Sequence, residues 1–346
     1  MNISRLLSVA PMMERTDRHC RYFFRLLSQQ TLLYSEMINA NAITKGNKTR
    51  LLNFSEIEHP LALQIGGSDP KLLAEATKIG VDWGYDEINL NVGCPSSRVS
   101  SGDFGAVLMK RKDHVAKCVD AMAQFSSNVP ISVKCRIAVD DQDPEKILPS
   151  FIKTVSNSGV SIFIIHARKA ILSGLSPKDN RKIPPIDYNL VKKIKAQFPK
   201  LEICLNGEIK DLSSVMNFIN DGIDGCMIGR EVYKNPSKIL ENADEKIFKK
   251  MDLFGKSKKR TLYEALLKMI PYLESHLQKG GKASSVLRHL INSVSGLEGA
   301  KLFRSTLSEN MNKKNQPEIF EKALKLVNFS DKKIDVEGTQ FESGLV

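Results

Sequence analysis

What this 346-residue chain lacks is informative from the start. Its six cysteines, Cys20, Cys94, Cys118, Cys135, Cys204 and Cys226, share no C-x-x-C or C-x-x-x-x-C spacing, and no other metal-ligand spacing is present. No metal is expected. A secretory apolar segment is also missing, because Leu6-Leu7-Ser8-Val9-Ala10 gives way at once to Pro11 and then to Glu14-Arg15. Reduced thiols in a cytoplasm follow as the expectation. No apolar run approaches the ~20 residues that span a bilayer, so no membrane partner is expected. Internal repeats are absent apart from an alternation of strand and helix patterns.

What is present is a basic, core-forming chain. Hydrophobic residues make up 42% and charged residues 26%, enough to bury a real core. The length suits one barrel of about 250 residues plus an appendage better than two equal domains. Fifty-one Lys and Arg against 39 Asp and Glu leave a net charge of +12, which suggests a polyanion such as nucleic acid; a well-solvated lysine surface is the alternative. Residues 256–346 carry 16 basic against 10 acidic residues, so about half of the excess lies in the last quarter of the chain.

Short β-rich runs alternate with helical stretches, as parallel strands and crossover helices do. Eight strands are predicted: Leu6–Ala10, Leu32–Ser35, Leu61–Ile65, Glu87–Asn91, Ile131–Ile137, Ile162–His166, Glu202–Asn206 and Gly225–Ile228. Asp17, Asp69-Pro70, Asp143-Pro144 and Asp211 open the helices between them. Eight such units predict an α/β fold, a closed (β/α)8 TIM barrel, over residues 1–242. A Lys-rich linker over 243–260 and an all-α helical domain over 261–328 should follow, with a frayed tail over 329–346.

The run Glu87-Ile88-Asn89-Leu90-Asn91-Val92-Gly93-Cys94-Pro95-Ser96 organises the rest. It begins with the period-two alternation of a half-buried strand and ends in turn-forming residues, so a strand delivers a thiol into a loop. The loop continues through Gly102, Asp103, Phe104 and Gly105, and such a glycine-punctuated segment can close over a ligand. The alternative for Cys94 is a small buried hydrophobe. The other strand ends place Pro11, Met12, Met13, Gln64, Asn91, Lys134, Arg136, His166, Arg168, Asn206, Gly207, Glu208, Gly229 and Arg230 on the same barrel face. In such barrels the loops after strands seven and eight often hold a phosphate on backbone N–H groups. Asn206-Gly207 and Gly229-Arg230 offer close backbone approach and a cationic fork. Lys134 makes a poor core residue unless an anion pairs with it.

Ala10-Pro11-Met12, Glu87 to Ser96, Val133-Lys134, His166-Ala167-Arg168, Asn206-Gly207 and Gly229-Arg230 together resemble the tRNA-dihydrouridine synthases. The run from His166 through Gly174-Leu175-Ser176-Pro177-Lys178, Asn180-Arg181 and Ile183-Pro184-Pro185 resembles their bacterial A-type subfamily, which acts on D-loop positions 20 and 20a. The resemblance implies an FMN enzyme recharged by NADPH, with tRNA as partner and no metal; a monomer is expected. It implies Cys94 as proton donor, and Pro11, Met12, Met13, Gln64, Lys134, His166, Asn206, Gly207, Glu208, Gly229 and Arg230 as FMN lining. Asn91 would touch the target nucleotide, and Lys178, Arg181, Lys301 and Arg304 would contact tRNA. Two departures stand out: Glu208 occupies a position where that subfamily commonly has Gly, and Ala300-Lys301-Leu302-Phe303-Arg304 is sparser in arginine.

The chemistry of the residues agrees. Reducing an isolated C5=C6 bond of uracil needs a hydride at C6, which reduced FMN can give from N5, and a proton at C5, which a thiol protonated at pH 7 can give. A free-pyrimidine enzyme of the dihydroorotate dehydrogenase kind would share barrel and flavin but would not need a basic helical domain. A non-catalytic tRNA-binding protein would not need Cys94 and Lys134.

Overall fold

The computed structural model describes residues 3–248, 260–310, 313 and 315–329. Contacts divide the chain into two units, 1–259 and 260–346. The first is an eight-stranded parallel sheet: β1 Leu7–Val9, β2 Leu33–Asn39, β3 Leu61–Gly66, β4 Glu87–Val92, β5 Ile131–Arg136, β6 Ile162–His166, β7 Glu202–Asn206 and β8 Gly225–Ile228. From β2 to β8 neighbours in sequence pair, and β1 pairs with β8. Leu32 joins β1 to β2, accepting from Val9 N–H at 2.9 Å and donating to Leu7 O at 3.1 Å, so the ring closes as a (β/α)8 barrel.

The crossover helices start where the sequence provides acceptors for their orphan N–H groups. Asp17 caps Arg18–Leu27, Asp69 caps Pro70–Asp82, Asp143 caps Pro144–Ser156 and Asp211 caps Leu212–Asn220; Asp187 caps a further helix, Tyr188–Gln197. Inside the barrel, Ala10, Leu32, Tyr34, Ala62, Ile162, Ile164, Cys204 and Met227 form an apolar plug. Burial of such side chains contributes about 1.5–3 kcal/mol each for the larger ones, which is what holds the strand ends in fixed register above them.

The second unit consists of helices Leu262–Gln278, Ala283–Leu290, Ala300–Glu309 and Gln316–Lys325. Thr261 and Glu264 form a capping box at its start, and Phe303 packs on Phe320 with ring centroids 6.2 Å apart. Residues 243–248, expected within the linker, belong to the first unit: Asp244–Phe248 is π-helical, Ala243, Ile247 and Phe248 are fully buried, and Asp244 accepts from Ser28 and the N–H groups of Gln29 and Gln30. The rest of that linker up to 259 lies outside the described residues. Phe329, expected to begin the frayed tail, is 5% exposed and packs on Tyr263; residues 330–346 lie outside the described ones.

Candidate active site

The site grows from β4. Its inward residues Glu87, Asn89 and Asn91 are all buried, and three successive polar side chains inside a barrel must find partners. Glu87 accepts from Arg5 Nε at 2.7 Å, from Tyr34 OH at 2.6 Å and from the Ser132 hydroxyl. Asn89 donates from Nδ2 to Ser132 Oγ and accepts at Oδ1 from Gln64 Nε2, both at 2.7 Å. Gln64 Oε1 accepts from Asn91 Nδ2 at 2.8 Å, and Asn91 Oδ1 accepts the N–H groups of Gly93 and Cys94 at 3.1 and 3.0 Å.

Cys94 is therefore tied at its nitrogen, and its carbonyl accepts from Ala106 N–H at 2.9 Å. Gly105, at φ 78°, permits that approach: a Cβ there would lie 2.7 Å from Cys94 O. The segment expected to be a flexible closing loop instead forms a short helix, Ser97–Ser100, and a 3-10 stretch, Gly105–Lys110, with Phe104 buried between them. Cys94 is partly exposed, whereas the other five cysteines are buried.

Strands β5 to β8 supply cations. Lys134 Nζ donates to Asn206 Oδ1 at 3.0 Å, and Asn206 Nδ2 donates to Met227 O at 2.7 Å. Arg136 donates to Gly93 O and Lys169 O, both at 3.2 Å, and to Asn180 O at 3.1 Å, so it ties the Cys94 loop to the segment after β6. Arg168 meets Glu208 at 2.5 Å and donates to Pro184 O. Arg230 reaches Arg181 O at 3.4 Å. The Nε atoms of Arg168 and Arg181 are buried without a hydrogen-bond partner. Burial, then Arg136, Lys134, Arg168 and Arg230, hold the His166 imidazole well below its usual pKa. Burial, with Arg136 beside it, brings Lys134 down to about 8. Burial, then Arg230 and Arg15, lower Arg181 as well. Cys94 is close enough to Lys134, Arg136 and Arg181 to act on each electrostatically. So many cations with one carboxylate among them make an anion site.

Glycine shapes the floor. Gly207 sits at φ 126°, and a Cβ on it would come within 3.0 Å of His166 Cδ2 and 3.1 Å of Ile186 Cδ1. The Tyr188 hydroxyl donates to Gly207 O at 2.6 Å. Glu208, next in the chain, is also left-handed at φ 49°. Among the residues expected from sequence, Gln64, Asn91, Cys94, Lys134, His166, Asn206, Gly207, Glu208, Arg230 and Arg181 gather at the strand C-terminal ends through these bonds and couplings, and Gly229 directly follows β8. Pro11 and Met12 are partly buried at the end of β1, where Thr16 Oγ1 accepts from Met12 N–H at 2.9 Å, but Met13 is 59% exposed. Lys178 is exposed in the segment that Asn180 pins by bonds to Ile171, Leu175 and Ser176. Lys301 and Arg304 lie in the second unit, on Ala300–Glu309. Sequence reading gave no site role to Arg15, stacked 4.7 Å from the Tyr233 ring, to Tyr188, or to Asn180, which it named only within a motif. Arg15 was findable two residues beyond Met13 in the same strand-end loop.

Fold and site define a (β/α)8 barrel that carries a fixed thiol beside an anion-binding set of cations at the strand C-terminal ends, the layout of a barrel enzyme. The chain belongs to the dihydrouridine synthase family: the family described as "Dihydrouridine synthase (Dus)" matches residues 8–329. A Synechocystis sp. protein called tRNA-dihydrouridine(20/20a) synthase is 47% identical over 324 residues, 93% of this chain and 95% of that one. An Escherichia coli (strain K12) protein of the same name is 49% identical over 322 residues, 92% and 91% of the two chains. Among solved structures, the old yellow enzyme homologue from Zymomonas mobilis superposes with a TM-score of 0.52 at 12% identity, covering 75% of this chain and 92% of that one, and so shares the barrel fold. Among the described residues no helix is long and apolar enough to cross a membrane, and no three His, Cys, Asp or Glu cluster as metal ligands.

Proposed function

We propose that this protein is an FMN-dependent tRNA-dihydrouridine synthase that reduces the C5=C6 bond of uridine at D-loop positions 20 and 20a, with NADPH as reductant. It works as a monomer in the cytoplasm, the barrel carrying the chemistry and the helical unit contributing Lys301 and Arg304 to tRNA binding. The observation that carries the reading is Cys94: the one partly exposed thiol among the six, fixed at both backbone ends next to a cation-lined mouth.

The residues fit the flavin. Gly207 leaves its backbone open where a Cβ would strike His166, and Arg230 stands by as the cation for a phosphate monoester. Lys134, brought down to about 8 by burial and by Arg136 beside it, suits the anionic edge of a reduced isoalloxazine. Pro11, Met12, Met13, Gln64, His166, Asn206, Glu208 and Gly229 complete the lining. Bound FMN supplies the hydride for C6.

The chain's own residues do the rest. Arg15, Lys178 and Arg181 draw the tRNA backbone, and Asn91 borders the extruded uracil, whose unstacking costs a few kcal/mol. Cys94 gives its proton to C5, so the S–H bond breaks as the C–H bond forms; Arg136 and Arg181 then stabilise the thiolate until solvent reprotonates it. Dihydrouridine mapping of tRNA from cells lacking this chain, complemented with wild type or Cys94→Ala, tests the reading. Restoration by wild type alone is expected; full restoration by the variant would refute it.

A further inference from the structure

The polar column beneath Cys94 has a direction, and its two ends set it. At the top, the N–H groups of Gly93 and Cys94 can only donate, so Asn91 must show them Oδ1. At the bottom, Glu87 is ion-paired with Arg5 at 2.7 Å, and a carboxylate in an ion pair can only accept. Between these ends each amide, taken alone, could turn through a half circle. Taken together they cannot. Ser132 gives its one proton to Glu87 and must therefore accept from Asn89 Nδ2. Asn89 then shows Oδ1 to Gln64 Nε2, Gln64 shows Oε1 to Asn91 Nδ2, and Asn91 is left with Oδ1 facing the loop. Every donor in the column points down toward Glu87.

We propose that Glu87, at the far end of β4, is a positioning residue for Cys94: as terminal acceptor it fixes the orientation of Asn89, Gln64 and Asn91, and so holds the Cys94 loop on Asn91 Oδ1. The strand register makes this possible, because Gln64 and Asn89, and Asn89 and Ser132, are direct cross-strand partners. The consequence for turnover rests on the proposed role of Cys94 as proton donor; the consequence for the loop rests on the hydrogen bonds alone.

Glu87→Gln reverses the column. The new amide keeps its oxygen on Arg5 and turns its nitrogen to Tyr34 and Ser132; the buried Ser132 proton then finds an acceptor only by donating upward to Asn89. The reversal runs on to Asn91, whose Nδ2 would face two backbone N–H groups, and the loop is released. A second substitution, Asn89→Asp, stops the reversal early. The carboxylate it introduces accepts from Ser132 below and from Gln64 above, so Gln64 and Asn91 keep their native orientation.

The test is iodoacetamide labelling of the full-length native protein, followed cysteine by cysteine by mass spectrometry, with single-turnover dihydrouridine formation alongside. In Glu87→Gln, Cys94 should label about 10-fold faster and turnover should fall by a similar factor, the size of one mis-set buried hydrogen bond, while the five buried cysteines stay unlabelled. Glu87→Gln/Asn89→Asp should return both rates to within about 3-fold of wild type. Ser132→Ala, which leaves the Arg5–Glu87 pair intact but cuts Asn89 off from it, should shift labelling in the same direction by a smaller factor, because Asn89 loses its acceptor without being forced to turn, and it decides the matter if Glu87→Gln does not fold. Unchanged Cys94 labelling in both single variants, acceleration shared by the buried cysteines, or no rescue by Asn89→Asp would each overturn the proposal. Labelling needs neither tRNA nor flavin, so it is read the same way even if the wild-type chain forms no dihydrouridine, which would instead overturn the proposed function.

Discussion

Arg168 and Glu208 form an ion pair at 2.5 Å across the ends of β6 and β7, and Glu208 reaches it from a left-handed backbone at φ 49°. A left-handed conformation costs a non-glycine residue about 1 kcal/mol. The pair offsets that, though with Glu208 36% exposed at its side chain it contributes modestly. Glu208→Gly removes pair and strain together and should shift stability by less than about 1 kcal/mol. Glu208→Ala keeps the strain and loses the pair, so it should be the least stable of the three by about 1 kcal/mol. Thermal unfolding ranks them; Ala at or above Gly would show that the backbone strain is not felt.

Lys134 lies under a different constraint. Its fall from 10.5 to about 8 means that the charged ammonium costs the flavin-free fold about 3 kcal/mol at neutral pH. Below pH 8 folded and unfolded chains both hold the proton, so the penalty is whole; between 8 and 10.5 the unfolded chain holds more protons and stability rises with pH. Lys134→Met should therefore unfold later than wild type in urea at pH 7, with the gap closing toward pH 10.5, while FMN content of the purified protein drops. Equal stability of the two apo proteins at pH 7 would contradict the argument.

Much of this was legible in the sequence, for a physical reason. Each strand is a short β-rich run bounded by caps and turns, so Glu202–Asn206 and Gly225–Ile228 could be read to the residue, and Gly-Cys-Pro-Ser marked where β4 ends. Lys134 could be singled out because its chemistry conflicts with its surroundings. The column from Glu87 to Asn91 could not be read, because it depends on β3, β4 and β5 meeting in one register, which only barrel closure sets. The ion pair of Glu208 depends likewise on where β6 and β7 end. Residues 243–248 read as linker because the strand pattern stops before them and a Lys-rich stretch follows, yet a π-helical turn, Asp244–Phe248, buries Ile247 and Phe248.

Gly207 should be the least replaceable residue of the mouth. Its φ of 126° is closed to other residues, and a Cβ would lie 3.0 Å from the His166 ring and 3.1 Å from Ile186. In Gly207→Ala both groups must give way, at about 1–3 kcal/mol. Flavin content after saturation with FMN should fall severalfold, more than in Gly229→Ala, where the added Cβ meets Ala10 Cβ at 3.3 Å and a flexible Met12. Equal flavin retention in the two variants would mean that the Gly207 backbone is not part of the floor.

The helical unit is tested through salt. Lys301 and Arg304 are three residues apart on Ala300–Glu309 and so share a face. If each meets a phosphate, binding of tRNA releases counterions in proportion, and log K against log salt should flatten by about 1 for each of Lys301→Gln and Arg304→Gln. The loss should be nearly uniform over different tRNAs, because phosphates position and do not specify. Lys78→Gln is the control: Lys78 is paired with Asp82 on the barrel helix Pro70–Asp82, and its loss should leave the slope where it was. Equal slopes for wild type, Lys301→Gln and Arg304→Gln would remove these two residues from the RNA surface and leave Arg15, Lys178 and Arg181 at the barrel mouth to account for the salt dependence.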